Sequence, residues 1–238
     1  MTGDSPVYVQ VADQLEELIA SLAAGEPMPS EHELARDHEI NRLTARAALE
    51  ELERRYLVRR QQGRRTVVAR RIRYPLSPTG VPGWTKIVRS AGGEPRTELD
   101  TLRQCVPPKE IRAALQLSKK APAFQLGRRR FVDDELAAYS ESWLRAALVP
   151  KLESRVGKTG SLHAALKKYD LHPKRGLLRC ELAVASPDVA ERLAAPDRPL
   201  VFVLTTQLRS GKRDLAVTTT WLRADVFNVV YQTGEPSL

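Results

Sequence analysis

The sequence predicts an α+β fold in two domains, on the strength of three observations. Helical periodicity over residues 8–52 is followed by two short β-prone runs that flank an arginine-rich segment. A stretch with three prolines and two glycines interrupts this pattern at 71–83. From residue 84 onward, β-prone runs and short helical segments follow one another, which is typical of helices packed on an antiparallel sheet. We therefore expect domains at 1–70 and 84–238, joined by a linker at 71–83.

Charge is the most informative property of the composition. The 238 residues are enough for two hydrophobic cores, and they carry 38 Lys and Arg against 29 Asp and Glu, a net charge of +9. Nine arginines and no acidic residue lie between positions 54 and 73. Local clustering of this kind indicates a polyanion partner.

Other classes of protein are disfavoured. The arginine-rich run lacks the apolar face of a membrane-surface segment, and no apolar span approaches membrane length. We expect no signal peptide, because residues 1–6 are polar and residues 7–24 are amphipathic, and Cys105 and Cys180 belong to no Cys/His cluster. We expect a cytoplasmic protein with reduced cysteines, no membrane association, no metal and no cofactor.

The first helix is expected at about 8–23, where five apolar residues recur at helical spacing: Val11, Leu15, Leu18, Ile19 and Leu22. This stripe suits the core of the amino-terminal domain, and a dimer zipper is the alternative. A turn at 25–29 separates it from the next helix.

Two short helices follow. Ser30 and Glu33 form a capping-box pattern at the start of the first. Asn41 is a good cap for the second, in which Leu43, Ala47, Leu49 and Leu52 are expected to face the core.

That spacing leaves Arg42, Thr44 and Arg46 on the exposed side of the second helix. The first residues of the second helix in a helix-turn-helix reach base edges in the major groove. Arginine suits guanine, and threonine suits thymine or phosphate. The alternative is a surface helix with ordinary solvated arginines.

A hairpin is expected next, with β-prone runs at 56–58 and 66–68 around a glycine turn. Gly63 and Arg64 lie at its tip, and the flanking arginines suit phosphate or minor-groove contact. A solvated charge run is the alternative. Together, the helix pair and the hairpin predict a winged helix-turn-helix domain that binds double-stranded DNA.

The second domain is expected to contain ten elements around an antiparallel sheet. Its helices are predicted at 84–91, 108–117, 162–169 and 187–193, and its strands at 97–106, 123–131, 136–144, 175–185, 200–208 and 215–222.

The sheet carries a candidate anion site. Side chains alternate along a strand, so Arg128 and Arg130 share one face while Arg129 takes the other. Two neighbouring guanidinium groups repel each other unless an anion lies between them. Ser161 caps a helix whose N–H groups favour an anion. Alternatively, the two arginines pair with acids such as Glu141 or Asp225 and Ser161 is only a cap.

Residues 6–70 resemble the amino-terminal domain of GntR-type bacterial repressors. The resemblance rests on four segments in order: Pro6–Asp13, Pro29–Glu31, Arg42–Leu49 and Arg60–Thr66. It implies that Arg42, Thr44, Arg46 and Gly63 contact DNA and that Asn41 caps the recognition helix. His32 and Arg65 depart from the pattern, where the family often has Arg and Gly.

Residues 74–230 resemble the effector-binding (UTRA) domain of the HutC branch, which shares the chorismate-lyase-like fold. The resemblance rests on Gly93–Thr97, Arg128–Asp133, Gly160–His163 and Arg223–Asp225, and Tyr74–Leu76 is similar to a segment of phosphonate-utilisation repressors. It implies that Thr85, Arg128, Arg130 and Ser161 bind the phosphate of an effector. Ser140 stands where many members have a Glu that holds a sugar hydroxyl, which favours a phosphonate, phosphate or similar oxyanion over a sugar phosphate.

The sequence thus predicts a homodimeric transcriptional regulator, a repressor, whose binding to operator DNA is modulated by a small anionic effector. A lyase or hydrolase in the second domain is one alternative, although the four histidines are scattered and no nucleophile–base pair supports it. A sequence-blind architectural protein is another, although backbone binding needs no large second domain.

Overall fold

The computed structural model describes residues 5–60, 65–77, 83–156, 162–171, 173–195 and 197–231. The chain forms two compact units, which divide between Arg71 and Ile72. Among the described residues, no helix has the length and apolar character needed to cross a membrane.

The amino-terminal unit consists of three helices and a short hairpin: α1 (Val7–Ile19), α2 (Glu31–Asp37), α3 (Arg42–Arg54), β1 (Val58–Arg59) and β2 (Val67–Val68). Strands β1 and β2 pair antiparallel, so the expected order of helix, helix-turn-helix and wing is confirmed. The tip of the wing, including Gly63 and Arg64, lies outside the described residues.

The core of this unit joins all three helices to the hairpin. Val11 and Leu15 of α1 are buried in this core, so the apolar stripe of α1 packs within its own unit. Leu18 is the exception, because its side chain is 42% exposed. The predicted core position of Leu43 is wrong, because this side chain is 74% exposed. Leu43 lies six residues before Leu49, about 240° around the helix, and Ala45 takes the core-facing position instead.

The described residues of the second unit form five α-helices and eight strands: β3 (Ile72–Leu76), α4 (Trp84–Ser90), β4 (Pro95–Cys105), α5 (Lys109–Ala114), β5 (Ala123–Val132), β6 (Glu135–Arg145), α6 (Leu152–Val156), α7 (Leu162–Lys167), β7 (Lys174–Val184), α8 (Pro187–Arg192), β8 (Leu200–Ser210), β9 (Arg213–Arg223) and β10 (Phe227–Tyr231). Six of the strands form an antiparallel sheet in the order β4-β5-β6-β9-β8-β7. The predicted α+β class is confirmed.

Part of the segment at 71–83, which its composition predicts to be an irregular linker, forms a strand. Residues Ile72–Leu76 form β3, which pairs in parallel with β10 and belongs to the second unit. Pro75 is tolerated because β3 has a single partner, which leaves one edge of the strand without ladder hydrogen bonds. Residues 78–82 lie outside the described part of the chain.

Two apolar clusters cover one face of the sheet and leave a polar strip between them. At one end, α6 and α7 pack on Phe124, Leu126 and Leu144. At the other end, α4 and the β3–β10 pair pack on Ala138 and Leu222. The opposite face is covered by α5 and α8. Between the two clusters of the first face lie the hydroxyl-bearing residues of β6 and β9.

Candidate nucleic-acid interface and anion site

Side-chain caps fix the beginnings of α2 and α3. The capping box of α2 is complete: the Ser30 amide donates to Glu33 Oε2 at 2.7 Å, and the Glu33 amide donates to Ser30 Oγ at 3.2 Å. At α3, Asn41 Oδ1 accepts from the Thr44 amide at 2.8 Å and from Thr44 Oγ1 at 3.1 Å. Both caps satisfy amides that a helix start leaves unpaired.

The first turns of α3 present an exposed surface. The side chains of Arg42 and Arg46 are 69% and 52% exposed, and Thr44 is half-buried. Leu43 is exposed beside them, so this surface also carries an apolar group that could meet a thymine methyl. Sequence reasoning missed the exposure of Leu43 because it assigned every leucine of the helix to the core.

The Glu31 carboxylate is hydrogen bonded to Arg46 and lies near Arg42. It accepts from Arg46 Nε at 3.0 Å and from Arg46 Nη2 at 3.2 Å, and Arg42 Nη2 lies 4.0 Å away. The hydrogen bonds from Arg46 lower the pKa of Glu31 below its ordinary value. The guanidinium of Arg46 is thus oriented at the surface by a bidentate contact.

Part of the arginine cluster is used inside the protein. Arg60 lies 3.6 Å from both Glu50 and Glu53 and donates to the carbonyl of Arg46 at 3.3 Å. Arg55 pairs with Asp13, Glu16 and Glu51. The positive charge available to a polyanion is therefore smaller than the count of nine arginines indicates.

In the second unit, the arginines of β5 alternate across the sheet as predicted. Arg129 points to one face and pairs with Asp100 at 3.3 Å. Arg128 and Arg130 point to the other face, about 7 Å apart along the strand. There they lie beside the polar strip between the two apolar clusters.

Hydroxyl groups of the neighbouring strands contact both guanidinium groups. Arg128 Nη2 donates to Ser142 Oγ at 2.8 Å, and Arg130 Nε donates to Ser140 Oγ at 2.9 Å. Each serine is also hydrogen bonded to a threonine of β9, at 2.8 and 3.1 Å. We name these six residues the arginine–hydroxyl cluster: Arg128, Arg130, Ser140, Ser142, Thr218 and Thr220.

The positive charge of this cluster is not compensated by the described residues. Arg128 is 5% exposed, and its Nε is buried without a hydrogen-bond partner. Within the described ranges, no carboxylate forms an ion pair with Arg128 or Arg130. Burial lowers the pKa of both groups, and for Arg128 the charge of Arg130 lowers the pKa further.

The alternative partners considered for these arginines are engaged elsewhere. Glu141 accepts from Gln125 at 2.8 Å and from Trp143 at 2.7 Å on the opposite face. Asp225 binds Arg223. An acidic partner therefore does not explain the buried guanidinium groups.

Trp84 of α4 forms one side of the cluster. Its ring centre lies 5.3 Å from the Arg130 guanidinium carbon, and its indole N–H is buried without a hydrogen-bond partner among the described residues. It also packs against Phe227, so it serves both the core and the edge of the cluster. Thr85 follows it and is exposed, whereas Trp221 packs on Tyr139 at the opposite face. Ser161 lies outside the described residues.

A winged helix-turn-helix unit followed by an α+β sheet unit defines a DNA-binding regulator with a separate second domain. A family model for the UTRA domain matches residues 90–228, and one for bacterial regulatory proteins of the gntR family matches residues 7–68. The UTRA match alone covers more than half of the chain. The chain therefore belongs to the GntR-type transcriptional regulators that carry a UTRA domain.

Individual relatives agree with this membership. The transcriptional regulator GgaR of Escherichia coli is 23% identical over 94% of this chain and 90% of its own length. The transcriptional repressor PhnF of Mycolicibacterium smegmatis is 28% identical over 82% of this chain and 78% of its own. A crystal structure of PhnF from Mycobacterium smegmatis superposes with a TM-score of 0.66, covering 95% of this chain and 100% of that one.

These relatives are transcriptional regulators and not enzymes, which rejects the lyase or hydrolase alternative. The architectural alternative is rejected on the same ground.

Proposed function

We propose that this chain is a homodimeric repressor that binds operator DNA through α3 and the wing, and that a small oxyanion bound at the arginine–hydroxyl cluster lowers its operator affinity. The DNA contacts are Asn41, Arg42, Thr44, Arg46, Gly63 and Arg64. The effector contacts are Thr85, Arg128, Arg130 and Ser161.

The buried charge of Arg128 is the observation on which the effector site rests. A buried guanidinium without a counter-charge is costly, because desolvation penalises the charged form. A bound anion would offset that cost, and the Arg128 Nε and the Trp84 indole N–H are donors that the described residues leave available to it. Guanidinium groups favour phosphate-type oxyanions, which they bind through two parallel hydrogen bonds.

The lining of the cluster favours a compact oxyanion over a sugar phosphate. Its neutral polar groups are the hydroxyls of Ser140, Ser142, Thr218 and Thr220, and both serines are fully buried. No carboxylate is present at position 140 to accept from sugar hydroxyl groups. Inorganic phosphate, a phosphonate or sulfate fits this set of donors.

The repressor and dimer assignments follow from symmetry and from relatives. Helix-turn-helix proteins read twofold operators as dimers. PhnF of Mycolicibacterium smegmatis and NagR of Bacillus subtilis are named repressors. In the mechanism that we propose, the anion binds one arrangement of the two DNA-binding units more tightly than the other and so shifts the population away from the operator-binding form.

A thermal-shift screen with phosphate, phosphonates, sulfate and sugar phosphates tests the effector site. An oxyanion that binds the folded chain raises its melting temperature by an amount set by the ligand excess over Kd. Arg128→Met should abolish this shift. Arg129→Met is the matched control, because Arg129 is its neighbour on β5 but points to the other face and pairs with Asp100.

The outcome separates the site from general anion effects. An equal loss in both variants, or an undiminished shift in Arg128→Met, would show that the anion binds elsewhere. Isothermal titration of the same variants gives Kd directly and detects a ligand that binds without a large change in melting temperature.

A further inference from the structure

The net positive charge of the chain lies in the second unit and not in the helix-turn-helix unit. With histidine neutral, residues 1–71 carry 11 Lys and Arg against 12 Asp and Glu, a net charge of −1. Residues 72–238 carry 27 Lys and Arg against 17 Asp and Glu, a net charge of +10. A surplus of this size repels itself in the folded unit and indicates a polyanion partner. The second unit therefore has a positive charge that DNA binding by the first unit does not explain.

This surplus is concentrated at one end of the six-stranded sheet. The register brings the starts of β5, β7 and β9 and the ends of β4, β6 and β8 to the same end. The segments that enter or leave the strands there carry 14 Lys and Arg against four Asp and Glu, over residues 109–120, 145–155, 167–175 and 209–214. Their net charge of +10 equals that of the whole second unit, so the rest of the unit is neutral overall.

The opposite end of the sheet is rich in acidic residues. Nine Asp and Glu against five Arg lie there, in residues 89–98, 133–135, 188–198 and 223–225. The chain enters the second unit at this end, because the Ile72 amide donates to the carbonyl of Val226 at 2.8 Å, just beyond the end of β9. Strands of this length separate the two ends by about 35 Å. The positive end is therefore not a continuation of the arginine-rich segment 54–73, which ends at Arg73 in β3.

We name six side chains of the positive end the basic end. All six are exposed, and none forms an ion pair with a carboxylate of the described residues: Lys119, Lys120, Lys151, Lys174, Lys212 and Arg213. Asp214 follows Arg213 but is buried, and it is held by Arg209, Gln116 and Gln207. The charge of the basic end is thus presented to solvent.

The shape and composition of the basic end favour duplex DNA among polyanions. Strands β5 and β7 are four places apart in the sheet, so the row of charges spans about 19 Å. Duplex DNA carries one negative charge per ~1.7 Å of its axis, so such a row meets several phosphates. Single-stranded nucleic acid is bound on aromatic platforms. Among the described residues of these segments, Tyr169 is the one Phe, Tyr or Trp, and its ring lies against Arg155.

We propose that the basic end binds the phosphate backbone of duplex DNA next to the operator, without reading its sequence. This inference extends the proposed operator binding and rests on it. Contacts of Lys and Arg with phosphate add affinity and salt dependence but carry no base preference. The second unit then adds affinity to the contacts of α3 and the wing and lengthens the stretch of DNA that the protein covers.

Two operator duplexes of different length test this contact with the full chain. One contains the twofold recognition sequence alone, and the other adds unrelated sequence of about 20 base pairs, or about 70 Å, on each side. Wild type should bind the longer duplex about tenfold more tightly at low salt in fluorescence anisotropy, and its log Kd should depend more steeply on log salt, by about 0.9 for each added phosphate contact.

Neutral variants assign the gain to the basic end. Lys120→Gln with Lys212→Gln should lower the salt slope on the longer duplex by about 2 and remove most of the gain from the flanks. Lys86→Gln with Arg89→Gln is the matched control, because both residues are exposed on α4 and the change in net charge is the same. Both variants should bind the shorter duplex as wild type does, and their melting temperatures verify the fold.

Equal affinity of wild type for the two duplexes, or an equal loss in the basic-end variant and the control, would overturn the proposal. Tighter binding of single-stranded RNA than of duplex DNA of the same length would also overturn it. Footprinting reports the proposed function separately. A wild-type chain without a sequence-specific footprint would contradict operator binding, whereas an intact footprint without any gain from the flanks would reject the basic end alone.

Discussion

Glu31 shows how a single acidic side chain can orient an arginine of the proposed recognition surface. It lies in the first turn of α2 and holds Arg46 through two hydrogen bonds while Arg46 remains half exposed. An oriented guanidinium loses less freedom on binding than a mobile one.

Replacing Arg42 by alanine should weaken operator binding tenfold or more, because a bidentate contact to guanine contributes about 1–3 kcal/mol of discrimination. Arg54→Ala is the matched control: Arg54 is 66% exposed on the same helix but lies about 18 Å farther along it. Fluorescence anisotropy with a labelled operator measures both. An equal loss in the two variants would mean that α3 contributes only general positive charge.

The capping box of α2 gives a pH-dependent contribution to stability. The hydrogen bond from the Ser30 amide lowers the pKa of Glu33 below its ordinary 4.5. The contribution is therefore complete above that value and is lost as the pH falls through the lowered pKa. Wild type should melt above Glu33→Ala at neutral pH, and the gap should close below about pH 4.5. A gap that stays constant down to pH 3 would show that the carboxylate charge plays no part.

At the residue scale, interactions between residues close in the sequence were predictable, and contacts between residues far apart in the sequence were not. The caps at Ser30 and Asn41 and the alternation of Arg128 with Arg129 follow from short-range rules that need no partner from elsewhere. The contact of Glu31 with Arg46 and the position of Trp84 beside Arg130 depend on elements that meet only in the folded chain. The sequence gives no local sign of either.

At the scale of the element, Gly127 decides whether β5 can lie against its neighbours. A Cβ at this position would overlap the Tyr139 hydroxyl and approach Thr101 Cβ to 3.2 Å. Tyr139 Oη donates to Asp100 at 3.0 Å and accepts from Arg192 at 2.7 Å. Burial raises the pKa of Tyr139 to about 12, so the hydroxyl keeps its proton at neutral pH.

Gly127→Ala should therefore destabilise the second unit by about 1–3 kcal/mol, the usual cost of overpacking. Tyr139→Phe removes the overlapping hydroxyl and should recover part of this loss in the double variant. Urea denaturation of the two single variants and the double variant gives the coupling energy. Additive losses would show that the hydroxyl is not what excludes the Cβ.

There are physical reasons why the sequence did not predict some of the elements. The β3–β10 pair joins residues more than 150 positions apart, and Pro75 in β3 argued against any strand there. The five-residue α6 is too short to show helical periodicity. The six strands of the main sheet were predicted because each is ten or eleven residues long, and two pairs of them, β5–β6 and β8–β9, are joined by two-residue turns.

At the scale of the whole molecule, the proposed regulation requires a coupling free energy between two sites. Regulation by an effector means that operator affinity changes when the anion binds, and thermodynamic linkage requires the anion affinity to change by the same factor when DNA binds. Couplings of this kind are typically about 5- to 150-fold. The two units are separate compact bodies, so the proposed coupling has to be measured on a chain that contains both of them.

The most direct test is the operator Kd of the full chain, measured by fluorescence anisotropy with and without inorganic phosphate or the phosphonate that gives the largest thermal shift. In the measurement without the oxyanion, chloride replaces it at equal ionic strength, because added salt by itself weakens DNA binding. If the anion regulates DNA binding as proposed, the operator Kd should rise about fivefold or more in wild type and Arg129→Met, and should not change in Arg128→Met. An unchanged Kd in wild type with a bound oxyanion, or an equal rise in Arg128→Met, would contradict this regulation.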